Sequence, residues 1–514
     1  MSVAEIRVQH ISFLCKKRNV AVRKLIFFLT TSLLGSGIYG QISIPGDFFN
    51  DIQKSDTSVL SFYTSVNDSE TEENSFKLID PYTKISYNSN YARSYNDGPV
   101  WTGSGLTWEG HFGVSGKIGK LSYNFYPVLF YSLNSEFSLA SRENTINPWN
   151  YQFTNKIDWV QRYGDYAFFQ FHPGQSEIKF EASKFLVAIS TQNYSWGPSR
   201  FNPIMMSRQA GGFPHARLGL KPTELGIGVI EVNMLYGLLS ESDYYDIDDE
   251  NDQRYFNSLS FAYRPSFLKE VTVGFNKALY KQTQFFEFQD VLSPLVIFDD
   301  GVVEGDTLSF NDTFDQLASI TVEWHLKESS FRTYLEYAVN DFSGILSGQF
   351  FIEPNHSRGY TIGFEKIIKT KKDHELILQY EHTNLSRSSS YLYRPEPQFY
   401  AHDVNRQGYT NNGQIIGSGI GPGGNADNLA ISLRKESTSL GALIQRIESN
   451  KDYFVINVQD KTKHDQEYTL NLFFEKRNER VTLSGTLAYS ANFNRYFEGT
   501  QQNLFLSLGT RIHL

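Results

Sequence analysis

The sequence has little of what defines several common classes of protein. It contains one cysteine in 514 residues, which excludes a disulfide framework and a multi-cysteine zinc site. It contains no apolar run of about 20 residues, the length that a membrane-spanning helix needs. Its formal net charge is -9, which argues against nucleic acid as a partner because nucleic-acid-binding proteins carry clustered Lys and Arg. Aromatic residues, in contrast, are abundant, with 41 Phe and 31 Tyr.

The first forty residues are typical of a secretory signal peptide. Residues 16–24 carry five basic side chains, residues 25–34 are mostly apolar, and small residues follow up to Gly40. A basic region, a short apolar stretch and a small-residue exit predict export and cleavage near Gly40. Removing residues 1–40 takes away six basic residues and one acidic residue, which leaves a net charge of -14 and no cysteine.

The remaining chain alternates between apolar and mixed residues with a period of two, the pattern of half-buried β-strands. The C-terminus is the clearest example, with Leu504, Leu506, Leu508, Thr510, Ile512 and Leu514 on one face. The same period recurs in residues 318–327, 331–339, 360–367, 375–383, 467–476 and 480–489. Each segment gives a weak signal, as expected for the strands of a membrane β-barrel.

The links between these strands indicate the fold class. Short polar links are predicted at residues 116–120, 173–176, 327–330, 369–373, 435–439 and 476–479. Much longer links lie between them, at about 190–215, 240–255, 282–316, 340–358, 385–426, 450–466 and 490–502. Short turns that alternate with long loops predict an all-β, transmembrane antiparallel β-barrel of about 18 strands, with long extracellular loops folding into the lumen. We therefore divide the chain into a signal peptide (1–40), a periplasmic N-terminal segment (41–80) and an outer-membrane barrel (81–514).

Two of the long loops carry distinctive sequences. Residues 193–218 include Trp196-Gly197-Pro198 and Gly212-Phe213-Pro214-His215, and residues 408–427 include Gly408-Tyr409-Thr410-Asn411-Asn412-Gly413-Gln414 and Gly421-Pro422-Gly423-Gly424-Asn425. These segments resemble the Wzi family of capsule-assembly outer-membrane proteins. Weaker similarities occur around Tyr95–Leu106, Tyr334–Asp341 and Glu353–Tyr360. The resemblance implies an outer-membrane lectin that supports capsule or exopolysaccharide assembly or attachment. Residues 41–95 are too short for the helical bundle that precedes the barrel in the family.

The loop residues themselves also favour sugar binding. Aromatic rings stack on sugar rings, and Arg, Asn and His side chains reach hydroxyl or acidic groups. The candidate polysaccharide-binding residues are Trp196, Arg200, Asn202, Arg208, His215, Arg217, Tyr409, Asn411, Asn412 and Asn425. Their basic members would favour an acidic glycan. The alternative is structural, because loops that plug a large barrel also need Gly, Pro and hydrogen-bonded polar side chains.

Other functions receive less support from the sequence. The acidic loop 243–252 departs from the EF-hand calcium pattern, and no Gly-x-Ser-x-Gly nucleophile motif occurs. We therefore predict no catalytic residue, no metal and no cofactor. The expected partners are outer-membrane lipid, capsular or extracellular polysaccharide and the barrel-insertion machinery during biogenesis, in a Gram-negative-type bacterium. A porin for small polar solutes and a lipid- or glycan-modifying enzyme are the alternatives.

Overall fold

The computed structural model describes residues 63–64, 75–141, 147–246, 252–296, 314–342, 350–370 and 374–514. The predicted signal peptide and most of the predicted periplasmic segment lie outside these residues. Within them, no helix is long and apolar enough to cross a membrane.

Eighteen antiparallel strands close into one barrel, which confirms the predicted fold class. In chain order they are β1 (Ser75–Asn88), β2 (Gly105–Ile118), β3 (Leu121–Phe125 and Val128–Ser132), β4 (Phe168–His172 and Glu177–Ala182), β5 (Phe185–Ser190), β6 (His215–Leu225), β7 (Gly228–Ser240), β8 (Gln253–Pro265), β9 (Val271–Gln282), β10 (Phe314–Leu326), β11 (Phe331–Asn340), β12 (Arg358–Lys369), β13 (Glu375–Asn384), β14 (Asn425–Lys435), β15 (Thr438–Glu448), β16 (Gln466–Arg477), β17 (Val481–Arg495) and β18 (Gly499–Ile512).

The first and last strands close the barrel. Strand β18 pairs with β1, with Ile85 opposite Leu508 and Tyr82 opposite Arg511. A pairing shift between Ile79 and Tyr82 accommodates Pro81, which has no N–H to donate to the ladder. Each remaining strand pairs with its neighbours in sequence order.

The period-two pattern corresponds to the two faces of the wall. Leu504, Leu506 and Leu508 point outward, and the side chain of Leu508 is 66% exposed. Asn503 and Arg511, on the opposite face of the same strand, are 1% and 3% exposed. Apolar side chains therefore meet lipid, and polar side chains meet the contents of the lumen.

One end of the barrel carries short turns and the other carries long loops. The turns include residues 119–120, 183–184, 226–227 and 436–437. At the opposite end the chain makes long excursions, which include the described residues 89–104, 133–141, 147–167, 191–214, 385–424 and 449–465. We call these the turn end and the loop end. The loop at 449–465 contains a helix, α1 (Lys451–Asn457).

Two predicted links are wrong. Residues 173–176 do not form a turn but interrupt β4, opposite the break in β3 at Tyr126. This break allows the Thr191 hydroxyl, at the start of a lumen loop, to donate to the Gly174 carbonyl at 3.0 Å. The predicted long link at 490–502 is also incorrect, because β17 continues to Arg495 and only three residues separate it from β18. The polar residues Ser490 and Asn492 face the lumen and do not end the strand.

Candidate functional site

The lumen is filled by a plug, which we define as residues 133–141, 147–167, 191–214 and 385–424 together with α1. Its apolar side chains form one cluster with the inner wall, and the cluster includes Ile157, Trp196, Ile204, Met205, Tyr400, Tyr409, Ile415 and Phe454. Trp196, Ile204, Met205, Tyr400, Tyr409 and Ile415 are each 0% exposed. The plug therefore has a hydrophobic core of its own within the barrel.

Two buried carboxylates on the wall hold the plug segment 199–204. Glu381 on β13 accepts hydrogen bonds from the backbone N–H groups of Arg200, Phe201 and Asn202 at 2.6, 3.1 and 2.7 Å. Glu336 on β11 accepts from the Ile204 N–H at 3.1 Å. Both glutamates are 0% exposed. Since a buried N–H without an acceptor is costly, these acceptors fix the path of the segment.

The other half of the plug is held in the same way. Arg254 on β8 donates to the carbonyls of Gly408 and Thr410. Asp158 accepts from the Ser242 hydroxyl at 2.6 Å and from its N–H at 2.8 Å. Burial raises the pKa of Asp158 to about 6, because the charged form loses hydration.

The two loops singled out by the sequence contact each other at the centre of the plug. Ser207 donates from its N–H to the Ile416 carbonyl and from its hydroxyl to the Gly417 carbonyl, at 2.9 and 2.6 Å. The Tyr409 hydroxyl donates to the Met205 carbonyl at 2.8 Å. A Cβ atom at Gly417 would lie 2.2 Å from the Ile204 carbonyl oxygen, so only glycine permits this approach. The prediction that these loops fold into the lumen together is confirmed.

The turn between these contacts has a recognisable sequence. Thr410–Asn411 and Gln414–Ile415 pair as a small hairpin inside the plug. Its two turn residues, Asn412 and Gly413, have φ values of 49° and 74°. Asn-Gly is the preferred pair for such a turn because both positions need positive φ.

The structure places most of the predicted binding residues in the interior. Asn412 is exposed and Arg200 is half-buried. The remaining eight are buried, namely Trp196, Asn202, Arg208, His215, Arg217, Tyr409, Asn411 and Asn425. Arg217 donates to Asn233 at 3.1 Å and lies 3.7 Å from Glu177, and Arg446 donates to Asn425 at 2.8 Å. Five of the eight lie in the plug, whereas His215 and Arg217 lie on β6 and Asn425 lies on β14. Their direct contact with polysaccharide stays a prediction.

A cavity of about 210 Å³ lies between the plug and the parts of β15–β17 that are nearest the loop end. We call it the loop-end cavity. Its aromatic lining includes Trp101, Tyr151, Trp159 and Tyr496, and its polar lining includes Gln161, Gln209, Asn450, Asp465, Glu467, Asn492 and Arg495. Trp101 and Trp159 are half-buried, so part of each indole is accessible.

Polar groups in this cavity are fixed in place but incompletely bonded. Asp465 Oδ2 accepts from the Asn450 amide and the Tyr496 N–H, each at 3.0 Å. Asp465 Oδ1, Asn492 Oδ1 and Arg495 Nε are buried and have no hydrogen-bond partner among the described residues. Burial raises the pKa of Asp465 to about 6, although nearby Arg495 and hydrogen bonds act to lower it. Buried polar atoms normally find partners, so a hydroxyl-bearing ligand would complete this set.

Arg495 is held by two tyrosine rings. Its guanidinium carbon lies 3.9 Å from the Tyr91 ring centroid and 4.6 Å from that of Tyr496. The Tyr91 hydroxyl in turn donates to Glu467 at 2.8 Å. These cavity residues were not predicted from the sequence, because they come from six separate segments of the chain. The signal that could have indicated them is the polar stretch 490–495, which was predicted as part of a link but continues β17.

Asp315, Asp341 and His402 form the group whose donor atoms could suit a metal ion, with these atoms within 4.8 Å of one another. His402 Nδ1, however, accepts from the N–H groups of Val404 and Asn405, at 3.2 and 2.9 Å. In a neutral imidazole the proton is then on Nε2, which makes this atom a donor toward carboxylates and not a metal ligand. With this proton position, the three side chains fit a His–Asp cluster better than a metal site. Much of the acidic loop 243–252 lies outside the described residues.

The chain has the fold of a bacterial outer-membrane barrel. Sequence comparison finds no matching family profile and no curated relative. Among solved structures, it is similar to Wzi from Escherichia coli, described as a carbohydrate-binding β-barrel involved in group 1 capsule assembly, with a TM-score of 0.57. The two share 11% identity over 85% of this chain and 84% of that one.

Two further bacterial proteins of solved structure are also similar. OccD3 (OpdP) from Pseudomonas aeruginosa has a TM-score of 0.43 and 11% identity, over 87% of this chain and 93% of that chain. OprD from the same organism has a TM-score of 0.41 and 10% identity, over 89% and 100%. At these identities the comparisons establish the barrel fold and leave the function open.

Proposed function

We propose that this protein is a non-enzymatic lectin of the outer membrane that holds surface polysaccharide at its loop-end cavity. The observation that carries the proposal is the lining of this cavity. Two accessible tryptophans lie beside fixed amide and carboxylate groups, and three buried polar atoms have no partner among the described residues. Aromatic faces and planar polar groups are what a sugar ring with several hydroxyls requires.

The position of the cavity agrees with this role. The long loops of bacterial barrels face outward, so a ligand at the loop end would be a polymer on the cell surface. Single sugar contacts are weak, but a repeating polymer engages many barrels and gains affinity through multivalency. Additional support comes from the loop motifs that resemble the Wzi family.

The lining also suggests which sugar is held. The charged side chains of the loop-end cavity are Asp465, Glu467 and Arg495, so acids outnumber bases. The basic residues that suggested an acidic glycan lie elsewhere, since Arg217 is next to Glu177 and Arg200 faces another cavity. We therefore propose neutral, hydroxyl-rich sugar units for this cavity.

The deciding experiment combines a deletion strain with a cavity variant. In the deletion strain we expect polysaccharide to be shed into the medium while its total synthesis is unchanged. Complementation with Trp101→Ala plus Trp159→Ala should fail to restore attachment. Complementation with Trp149→Ala should restore attachment. Trp149 lies in the same loop as Trp159 but is not part of the cavity lining. Normal attachment in the deletion strain would contradict the proposal.

A porin is the second candidate, and one observation favours it. A second cavity lies along the same wall, nearer the turn end, and residues 92–97 separate the two. Displacement of residues 92–97 would join the two cavities into one continuous path for a solute. Planar-bilayer recording of the purified barrel distinguishes the candidates, since the lectin proposal expects a closed barrel and steady solute-dependent conductance would favour a porin.

A further inference from the structure

The second cavity has a chemistry different from that of the first. It measures about 130 Å³ and lies against the inner faces of β1 and β15–β18. Its strand residues, such as Leu443 and Thr486, are nearer the turn end than the loop-end residues Ile447 and Asn492. We call it the mid-barrel cavity.

A single short segment, residues 92–97, divides the two cavities. Ala92 and Ser94 line the loop-end cavity, whereas Arg93, Tyr95 and Asn96 line the mid-barrel cavity. Gln209 holds this partition by donating to the Ser94 carbonyl at 3.2 Å and accepting from the Asn96 N–H at 2.8 Å. The two cavities are therefore close neighbours with separate linings.

The mid-barrel lining is basic within an acidic protein. Its charged side chains are Lys84, Arg93, Arg200 and Asp97. Lys84 is already paired, with Glu109 at 3.1 Å and with Asp97 at 3.6 Å. This leaves the two arginines as the groups that determine the charge of the cavity.

Neither arginine has a carboxylate partner at ion-pair distance within the described ranges. Arg93 donates to the neutral Gln445 amide oxygen at 3.2 Å and lies 5.9 Å from the Phe505 ring centroid. Arg200 Nε is buried and has no hydrogen-bond partner among the residues that the structure describes. A cation held out of water without a counter-charge is unfavourable, so an anionic ligand would stabilise this arrangement.

The nearby acids are engaged elsewhere. Glu323 lies 2.8 Å from Arg332, and Glu365 accepts from the Gln379 amide at 2.6 Å. Burial, together with repulsion from Arg332, lowers the pKa of Arg200, which agrees with incomplete compensation of its charge.

The rest of the lining indicates what carries the anion. Phe201, Phe473 and Phe505 provide apolar ring faces, and Asn471 and Ser507 provide groups for hydroxyls. Guanidinium groups match the planar geometry of a carboxylate and can bind it through two parallel hydrogen bonds. We propose that the mid-barrel cavity is a second binding site, which takes a carboxylate carried on a hydroxylated ring, as in a sugar acid. This inference does not depend on glycan binding at the loop-end cavity.

Calorimetric titration of the purified full-length barrel with sodium glucuronate tests the proposal. Glucose supplies the ring without the charge, and inorganic phosphate supplies charge without the ring. We expect saturable binding of glucuronate, with at least tenfold weaker binding of the other two. Arg93→Gln and Arg200→Gln should each weaken glucuronate binding at least tenfold, and Arg200→Lys should weaken it less because it keeps the charge.

Arg406→Gln is the matched control, since Arg406 is exposed on a plug loop and should leave binding unchanged. Heat-dependent mobility of each variant on a gel would show that the barrel remains folded. Absence of glucuronate binding, or equal binding by the arginine variants, would overturn the proposal. Equal affinity for phosphate would overturn the assignment of a ring-bearing ligand. Polysaccharide binding that depends on Trp159 would be unaffected by either outcome.

Discussion

The two cavities of this barrel share one partition but differ in charge and in lining. The loop-end cavity has two acids and one base together with accessible indole rings. The mid-barrel cavity has three bases and one acid together with phenylalanine rings. Ala92 and Ser94 face the loop-end cavity, and Arg93, Tyr95, Asn96 and Asp97 face the mid-barrel cavity. One short segment therefore separates the site that we propose for neutral sugars from the site that we propose for anions.

The difference between the cavities shows how a plug can create distinct sites within one barrel. The wall supplies polar inward side chains along every strand, and the plug decides which of them are covered. Glu381 and Glu336 are covered and act as acceptors for the plug backbone, whereas Glu467 and Arg495 line a cavity. Selectivity at each site therefore depends on the plug staying in place.

The largest expected effect comes from releasing the plug. Glu381→Ala removes the acceptor of three consecutive N–H groups, and each buried donor left without a partner costs about 1–3 kcal/mol. We expect segment 199–204 to detach, the barrel to conduct in planar bilayers, and both sites to lose affinity together. Glu375→Ala is the control, because Glu375 lies on the same strand and is paired with Arg434 and not with the plug. A closed Glu381→Ala barrel with both sites intact would show that the plug does not depend on this anchor.

A smaller effect is expected from loosening the partition alone. Gln209→Ala removes two hydrogen bonds to residues 94–96, each worth about 0.5–1.5 kcal/mol. We expect polysaccharide and glucuronate to bind about tenfold more weakly, measured by titrating each separately. Gln161→Ala should affect polysaccharide only, since Gln161 lines the loop-end cavity alone. If Gln209→Ala changed only one affinity, the partition would not be the shared element.

The sequence predicted the barrel and its plug well because both depend on local patterns. The alternation that begins at residue 504 is a property of consecutive residues, and it is present in β18 up to Ile512. The Asn412-Gly413 pair is also a local turn signal, although Asn412 was predicted from the sequence only as a binding candidate. The similarity around residues 334–341 also has a structural meaning, because Glu336 in that stretch anchors the plug.

The cavities could not be predicted in the same way. Trp196 is of a residue type that often binds sugars, yet its side chain is 0% exposed in the plug core. Trp159 and Asp465 are more than 300 residues apart in the sequence and meet only after the barrel closes. Whether an aromatic residue faces a ligand or a hydrophobic core is decided by such long-range packing, which a single sequence pattern does not encode.

The smallest expected effect is a difference in pH dependence between the two sites. Burial raises the pKa of Asp465 to about 6, so above pH 6 its carboxylate is ionised and is the form that would accept hydrogen bonds from sugar hydroxyls in the proposed site. As the pH falls from 7 to 5 the carboxylate gains a proton, and we expect polysaccharide affinity to fall about fivefold. Glucuronate binding should stay constant over this range because guanidinium groups remain charged.

The same pKa has the opposite effect on stability. A raised pKa means that the folded state binds the proton more tightly than the unfolded state, so this residue's contribution to the free energy of unfolding is largest below about pH 4. That contribution is lost as the pH rises through 6. Asp465→Asn should abolish both dependences, giving a flat affinity profile between pH 5 and 7. A pH profile that persisted in Asp465→Asn would assign the titration to another group and remove Asp465 from the proposed sugar contacts.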